Sequence, residues 1–426
     1  MNTKICYGSD EIDITLPDDS KVMIAKQQDI PAYKQPLQAV VQALDTPIGS
    51  PRLSFLARKY NKALILVTDF TRAMPYPLLL PPLIDEIRAG GITERNIRIL
   101  IASGTHRPMT EQELIEHLGQ DIVSRFAVWP HEWWKSESLC NLGYTKNGTP
   151  ITVNKLLVED SLLVGVGVVK PHRDAGWSGG AKIIQPGTSG NDTTGATHWL
   201  AAQYSCEEIL GVTDNPVREE IEEIASRVGL DFILNCVQDE SHHICYASAG
   251  DFIAAHRDNV NFARPYYTIP FSCEADIFIA GSSPVQQSMW SVGSGPNWAQ
   301  TMMKKGGAML LASRCPNGIC PEHPEIEQFG YLPREGLQNL IRSGRIKDLA
   351  AASHMQHGGE KIFEKDIHVT FFCDDLSKEQ INNLSFTQSK DFSTSVSHAV
   401  SLAGPAPNII IYPGYDFTTL IPQRSA

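Results

Sequence analysis

The chain has 426 residues, of which 42% are hydrophobic and 20% charged, and its formal net charge is -12 at pH 7. This length and composition predict a soluble globular protein with two domains. The negative charge argues against general binding to nucleic acid or to acidic membranes, although a local basic pocket could still hold a small anion.

The sequence shows no export or membrane signal. No apolar run is long enough to span a bilayer, and the N-terminal segment lacks the apolar core of a secretory signal, so we expect a cytoplasmic protein. The nine cysteines have no regular spacing and are expected to be reduced thiols. Cys315, Cys320 and His323 are spaced like part of a zinc site, but a second ligand pair is missing, which favours structural cysteines.

Two successive strand–loop–helix units place polar residues after strands. The apolar run Ala63–Val67 ends in a turn that holds Asp69 and Arg72, and the run Ile97–Ala102 ends in a loop that holds His106. In a parallel α/β sheet, ligands bind beyond the carboxyl ends of the strands. We therefore expect these three side chains at one edge of a doubly wound sheet. The alternative for Asp69 and Arg72 is a capped turn with a solvent-facing salt bridge.

A third strand and the glycine-rich turn after it are central to the predicted site. The apolar run Leu162–Val169 leads to a basic cluster and then to the segment GWSGGAK, residues 176–182. Adjacent glycines let the backbone approach a ligand and direct N–H groups at an anion. Lys182 could pair with a phosphate or bond covalently to a carbonyl or thiocarbonyl carbon. An ordinary strand–turn–helix connection is the alternative.

A second α/β region is predicted to begin near Cys273. The strands expected there include Asp276–Ala280 and Ala308–Ala312, with a loop rich in Gly and Ser over residues 281–296 and a helix between them. Strands that alternate with helices in both halves of the chain predict the α/β fold class.

The predicted domain boundary lies near Ser272. It gives an N-terminal domain of residues 1–272 and a C-terminal domain of residues 273–404. The last predicted strand, Asn408–Tyr412, is expected to return to the first domain, so that residues 405–426 complete it.

Five segments, in their order and spacing, resemble the motifs of the nickel-pincer lactate racemase family. They are DFTR (69–72), SGTHRP (103–108), PH (171–172), AGWSGGAK (175–182) and His198. The resemblance implies two α/β domains with parallel or mixed sheets and an active site in the cleft between them. It also implies a nickel-pincer nucleotide cofactor, the pyridinium-3-thioamide-5-thiocarboxylic acid mononucleotide, which separate biosynthetic enzymes make.

The same resemblance implies a role for each matching residue. A lysine at the position of Lys182 holds the cofactor through a thioamide, and a histidine at the position of His198 ligates nickel. His106 and His172 match two acid/base histidines, and Arg72 matches an arginine that holds the substrate carboxylate beside an aspartate. The residues predicted to contact the cofactor are Lys182, Asp69, Arg72, Ser178, Gly179 and Gly180.

The implied reaction is racemisation or epimerisation of a 2-hydroxy acid. A simple base does not easily remove the hydrogen at C2 as a proton, so it leaves as hydride to a cofactor while a histidine takes the hydroxyl proton. Two histidines, one on each face, let either enantiomer react. Nickel tolerates planar ligation by sulfur, carbon and nitrogen, and one imidazole completes such a plane.

Two departures from the family pattern predict a substrate other than lactate. Arg173 and Asp174 stand where family members commonly have Tyr-Phe, and the second-domain loop of residues 286–293 lacks the lysine of the family run LYQ-x-x-K. We expect Arg173 to hold a second carboxylate or Asp174 a distal hydroxyl. Trp290 is a further predicted substrate contact.

Two other functions fit the same residues. A zinc- or iron-dependent lyase or hydrolase would use His106, His172 and His198 as ligands of one ion. A non-catalytic sensor of small anions would use the glycine-rich turn as a phosphate cradle and bind tightly without turnover.

Overall fold

A computed structural model of the chain describes residues 1–284, 287–294, 297–415 and 419–425. No helix in these ranges is long and apolar enough to cross a membrane. The chain forms two compact units. The terminal unit contains both chain ends and comprises residues 1–28, 201–210 and 267–426, and the central unit comprises residues 29–200 and 211–266.

The elements are numbered in chain order. The strands are β1 (Asn2–Tyr7), β2 (Asp10–Thr15), β3 (Lys21–Ile24), β4 (Ala63–Thr68), β5 (Ile97–Ala102), β6 (Ala127–Pro130), β7 (Leu139–Tyr144), β8 (Pro150–Asn154), β9 (Leu162–Val168), β10 (Pro171–His172), β11 (Gly176–Trp177), β12 (Phe232–Gln238), β13 (Ile244–Gly250), β14 (Thr268–Phe271), β15 (Ala275–Ser282), β16 (Met303–Ala312), β17 (His368–Phe372), β18 (Thr387–Gln388), β19 (Asn408–Tyr415) and β20 (Ile421–Arg424). The helices are α1 (Pro36–Asp45), α2 (Leu53–Ala57), α3 (Tyr76–Ala89), α4 (Glu111–Leu118), α5 (Gln120–Arg125), α6 (Asn191–Ala201), α7 (Cys206–Ile209), α8 (Pro216–Val228), α9 (Ala254–Tyr267), α10 (Met289–Ser294), α11 (Glu325–Phe329), α12 (Arg334–Arg342), α13 (Leu349–Gly359), α14 (Lys378–Asn383) and α15 (Phe392–Ala403). Shorter helical turns cover Glu94–Asn96, Ser136–Ser138, Lys155–Val158, Gly180–Ile183, Asn297–Met302 and Glu360–Glu364.

The central unit is built on a six-stranded sheet with the order β13-β12-β9-β4-β5-β6. β13 is antiparallel to β12, and every other neighbouring pair in this sheet is parallel. β9 is buried over its whole length and β4 up to its last residue, as expected where both faces of a parallel sheet are covered. Residues of α1, α2 and α3 join the same core.

The order β9-β4-β5 determines where the polar loops of the central unit begin. Thr68 at the end of β4 lies opposite Ala102 at the end of β5, and Val67 lies opposite Val166 of β9. Three parallel strands therefore end side by side, and the loops that follow them start at one edge of the sheet. The predicted α/β fold class is confirmed.

The terminal unit contains an eight-stranded mixed sheet. β15 pairs in parallel with β16 and with β19, β16 pairs with β17, and β17 pairs with β18. β3 extends the sheet beside β19, and β1 and β2 form an antiparallel hairpin. Ile277, Leu310, Ile411 and Phe392 belong to its core, so α15 packs on the sheet through an apolar face.

The two units differ from the predicted domains at the chain ends. The predicted boundary near Ser272 lies close to Tyr267, where the chain enters the terminal unit. β19 pairs with β15, Ile409 opposite Ile277, so this last strand does not return to the first domain as we predicted. β1, β2 and β3 also belong to the terminal unit. Long-range pairing selects the partner of a strand, and the local sequence pattern does not encode it.

Candidate active site

Three polar loops follow the carboxyl ends of β4, β5 and β9 in the central unit. The loop after β4 carries Asp69 and Arg72, the loop after β5 carries His106, and the segment after β9 leads to His172 in the short hairpin β10–β11. Because the three strands are parallel neighbours, the fold gathers side chains that are far apart in the sequence.

The Asp69 carboxylate orients the ring of His106. Nδ1 of His106 lies 2.7 Å from Oδ2 of Asp69, and Oδ1 accepts hydrogen bonds from the hydroxyl and backbone N–H of Thr71 at 2.5 and 3.2 Å. Burial opposes ionisation of Asp69, but His106, Thr71 and Arg72 outweigh it and lower the pKa of this carboxyl. An ionised carboxylate only accepts, so Nδ1 of His106 donates, and a neutral ring carries its lone pair on Nε2.

His172 and Lys182, on either side of the glycine-rich turn in the sequence, form a hydrogen-bonded pair. Nε2 of His172 is 3.1 Å from Nζ of Lys182, and Nδ1 accepts a hydrogen bond from the backbone N–H of Asp174 at 3.1 Å. Burial, with positive charges nearby, holds the pKa of His172 well below its usual value, so the ring is neutral. A neutral ring whose Nδ1 accepts carries its proton on Nε2. Lys182 must then accept this bond, which only a neutral amine can do.

The surroundings of Lys182 favour the same neutral form. Burial, followed by the charges of Arg218 and Arg72, lowers the pKa of Lys182 to about 7, and Asp174 opposes this shift. A buried lysine with such a pKa is a nucleophile near neutral pH. The charge of Arg72 also lowers the pKa of His172, which places the loop after β4 and the Lys182–His172 pair in one site.

His198 lies on α6 and presents a defined ring nitrogen. Its Nδ1 is 2.8 Å from the carbonyl oxygen of Thr194, so Nδ1 donates and the lone pair of the neutral ring lies on Nε2. Imidazoles that bind metal are commonly oriented by a hydrogen bond of this kind. His198 is also close enough to His172 to lower its pKa.

The glycine-rich turn is fixed by packing within the central unit. Gly180 has φ +58° and donates its N–H to Oδ1 of Asn235 at 2.7 Å, and a Cβ at this position would lie 2.9 Å from the ring of His256. The Ser178 hydroxyl donates to the carbonyl of Val168 at 2.8 Å. We predicted these groups as contacts of an anion or cofactor, whereas the Gly180 N–H and the Ser178 hydroxyl are engaged within the protein.

Arg218 of α8 supports the turn and was missed in the sequence. Its buried guanidinium donates to the carbonyls of Trp177 and, at 3.4 Å, of Gly179. Burial lowers the pKa of Arg218 to about 10. The available signal was its spacing, because Arg218 shares the buried face of α8 with Ile221 and Ala225 at helical intervals.

Asp174 lies near the His172 ring, and Arg173, between them in the chain, is buried. Arg173 is 6% exposed, and Oδ2 of Asp174 lies 4.0 Å from Nδ1 of His172. Asp174 therefore adds a partly buried negative charge beside His172. The predicted role of Arg173 stays a prediction.

Trp290, the remaining predicted substrate contact, belongs to the terminal unit. Its indole stacks on the rings of His323 and His354, with ring centroids 4.4 and 5.1 Å apart. Gln286, in the same predicted loop, lies outside the described residues.

The donor groups do not form a site for a metal held by protein side chains alone. Among the residues that the structure describes, no group of three or more His, Cys, Asp or Glu side chains is placed to hold an ion. His106, His172 and His198 therefore do not build the three-imidazole site that the lyase or hydrolase alternative requires. The segment from Cys315 to Cys320 does not build a zinc site either.

Comparisons with known proteins agree with this fold. Residues 7–208 match the family model of the lactate racemase N-terminal domain. A lactate racemase from Thermoanaerobacterium thermosaccharolyticum is 30% identical over 97% of each sequence, and one from Lactiplantibacillus plantarum is 29% identical over 88% of this chain and 89% of that protein. The apoprotein structure of the Thermoanaerobacterium lactate racemase has a TM-score of 0.86 at 28% identity and covers 99% of this chain and 100% of that chain. A Thermotoga maritima protein shares the fold, with a TM-score of 0.70 at 19% identity over 89% of this chain and 100% of that chain.

These similarities show that the chain is an isomerase of the racemase type. More narrowly, it belongs to the lactate racemase family, because a curated relative is 30% identical over nearly its whole length. That family uses a nickel cofactor. Two groups described above fit such a cofactor. The neutral amine of Lys182 suits a covalent bond to a thiocarbonyl carbon, and the Nε2 lone pair of His198 suits a nickel ion.

Proposed function

We propose that this chain racemises or epimerises a 2-hydroxy acid other than lactate, with a nickel-pincer nucleotide held covalently by Lys182 and ligated by His198. The observation that carries the proposal is the Lys182–His172 pair, in which the hydrogen bonds and the lowered pKa of Lys182 both favour a neutral amine. An ammonium could not form the covalent bond, because it has no lone pair.

In the proposed reaction the cofactor handles the hydride and protein side chains handle the proton. When bound, the nickel-pincer nucleotide would supply the acceptor for the hydride that leaves C2 of the substrate. The hydroxyl proton goes to a histidine. His106 suits this role because its Nε2 carries the lone pair while Asp69, through Nδ1, stabilises the imidazolium that forms. Loss of both hydrogens leaves a 2-keto acid that is planar at C2, and return of hydride to the opposite face inverts the centre.

His172 is proposed to serve the other face. The hydrogen bonds favour a proton on Nε2 in neutral His172 and a proton on Nδ1 in neutral His106. The histidine that takes the hydroxyl proton becomes an imidazolium and returns that proton to the oxygen when hydride returns to C2, so protons balance in each turnover. His172 would act in this way on the opposite enantiomer, in the tautomer whose Nε2 carries the lone pair.

Arginines are proposed to hold the substrate. Arg72 follows Asp69 in the same loop and carries a planar guanidinium, the group that best matches a carboxylate; one of its nitrogens donates to the Thr71 carbonyl at 2.9 Å. Arg173 and Asp174 are proposed to recognise a second polar group, a carboxylate or a hydroxyl, that lactate lacks. Replacing Arg173 by Lys should then change the ranking of substrates, whereas an unchanged ranking would count against this assignment.

The reaction can be tested in D2O. Protein made with the cofactor-biosynthesis enzymes present is incubated with single enantiomers of several 2-hydroxy acids, followed by chiral chromatography and mass spectrometry. The proposal predicts inversion without deuterium at C2, because the same hydrogen leaves and returns as hydride. Inversion with deuterium at C2 would indicate proton abstraction by a base and would contradict the mechanism. Loss of inversion in Lys182→Ala is also expected.

A further inference from the structure

A lysine in the terminal unit is buried with very little compensation. Lys361 has no exposed surface and lies in the turn of π-helix, Glu360–Glu364, that continues α13. Its amine has one hydrogen-bond partner in the described part of the chain, the carbonyl of Gly293 at 3.4 Å. Burial lowers the pKa of Lys361 to about 8, so most of these amines are still protonated at neutral pH. An ammonium has three N–H donors, so one hydrogen bond leaves two of them for a ligand. The backbone points the same way, because π-helical turns are frequent at functional sites.

α13, the helix that this turn continues, also buries polar side chains. Every residue of α13 from Ala350 to Gly359 is buried, yet the helix includes Ser353, His354 and Gln356. The Oε1 atom of Gln356 is buried without a hydrogen-bond partner. A helix buried on all sides is normally apolar, because buried polar groups are costly unless they are paired. Packing alone therefore does not account for this polar interior.

Three polar groups converge on the backbone of Gly293. Its carbonyl accepts from Lys361, and a Cβ on this residue would lie 2.6 Å from the Tyr331 hydroxyl and 3.1 Å from Nε2 of His354. The Tyr331 hydroxyl and His354 Nε2 are themselves 2.8 Å apart. The indole of Trp290 stacks on His354 at an interplanar angle of 14°, which gives the cluster a flat wall.

Among the residues that the structure describes, no acidic side chain forms an ion pair with the Lys361 amine. Asp348 binds His323 at 2.6 Å and also accepts from the backbone N–H groups that open α13. Glu360 precedes Lys361 and raises its pKa through charge alone. The cluster therefore holds a buried amine that is mostly cationic beside a hydrogen-bonded hydroxyl–imidazole pair. When His354 Nε2 donates to the Tyr331 oxygen, the hydroxyl keeps its own proton for a ligand, and a cation with a hydroxyl donor is the composition of a carboxylate site.

We propose that Lys361, Tyr331 and His354 bind a carboxylate of a small organic acid, with Trp290 as a wall of the site. The acid is either the racemised substrate or a separate metabolite, and the chemistry of recognition is the same in both cases. The binding site does not depend on the racemase assignment, so the two proposals can fail separately.

The test uses the full chain without cofactor, in a buffer free of organic acids. Calorimetry and thermal melting measure the binding of succinate, which has two carboxylates and no 2-hydroxyl and so cannot be turned over. Lys361→Met should weaken succinate binding at least tenfold and abolish the rise in Tm that succinate causes. Lys347→Met, which removes an exposed lysine of the same unit, is the matched control and should bind like the wild type.

Melting without acid separates a binding role from a structural one. Removing a buried charge that has no counter-ion among the described residues and only one long hydrogen bond should leave Tm unchanged or raise it, so Lys361→Met should melt no lower than the wild type. A lower Tm with an unchanged response to succinate would show a structural lysine and overturn the proposal. So would equal succinate affinity in the wild type and Lys361→Met. If this variant does not fold, Tyr331→Phe, which deletes one donor, should still weaken succinate binding severalfold.

Kinetics of the loaded enzyme then identify the acid. A raised KM with little change of kcat in Lys361→Met assigns the site to the substrate, whereas an unchanged KM with lost succinate binding assigns it to a separate acid. Both results support the site. Succinate binding that depends on Lys361 in a chain without racemase activity would contradict only the proposed function.

Discussion

The pKa of Lys182 can be measured by competitive labelling of the apoprotein. An unperturbed lysine amine has a pKa near 10.4, so at pH 7 only about one in 2,500 is neutral. The pKa of about 7 leaves about half of the Lys182 amines neutral. Lower basicity reduces the intrinsic nucleophilicity, and with a Brønsted slope of about 0.4–0.5, as for thiolates, the net advantage is roughly 25- to 55-fold.

The assay reacts the protein with trace acetic anhydride from pH 5.5 to 10.5 and quantifies each lysine by peptide mass spectrometry. The midpoint of the profile, rather than the rate, is the decisive quantity, because burial slows access of the reagent. We expect a midpoint near pH 7 for Lys182, with exposed Lys347 as the internal reference. Arg72→Gln should raise the midpoint and Asp174→Asn should lower it, since these charges shift the pKa in opposite directions. A midpoint above about pH 9.5 would refute the reasoning.

Two further predictions concern orientation and packing. Asp69→Asn should lower kcat by about 10²–10⁴ with little change of KM, because an amide no longer favours the productive tautomer of His106; steady-state racemisation checks this, and an unchanged kcat would exclude the orienting role. Gly180→Ala should lower the free energy of unfolding by about 2–4 kcal/mol, because its Cβ would meet the His256 ring at a positive φ. Gly148→Ala, which has a positive φ but open space around it, should cost only about 1 kcal/mol in the same denaturation experiment. Equal losses in the two glycine variants would show that contact with His256 is unimportant.

Part of this architecture was predictable because short-range patterns encode it. β4, β5 and β9 are continuous apolar runs, and parallel strands place the residues after them at one edge. That rule places Asp69 and His106 at one edge of the sheet, and the structure brings their side chains into contact there.

The remainder depends on contacts that no local pattern records. Asn235 and Arg218 hold the glycine-rich turn, although the sequence places both far beyond it. The pairing of β19 with β15 joins the chain end to the terminal unit for the same reason. The burial of Lys361 is likewise invisible in the sequence, because a lysine is normally expected at the surface.

The most direct test of the account is the intact mass and nickel content of protein made with the cofactor-biosynthesis enzymes present. Wild-type protein and a Lys155→Ala control, which removes an exposed lysine of the central unit, should carry a covalent mass increment and about one nickel per chain. Lys182→Ala should lose the increment, and His198→Ala should keep it with less nickel. An unmodified wild-type chain, in a host that correctly loads a known lactate racemase, would contradict the central claim.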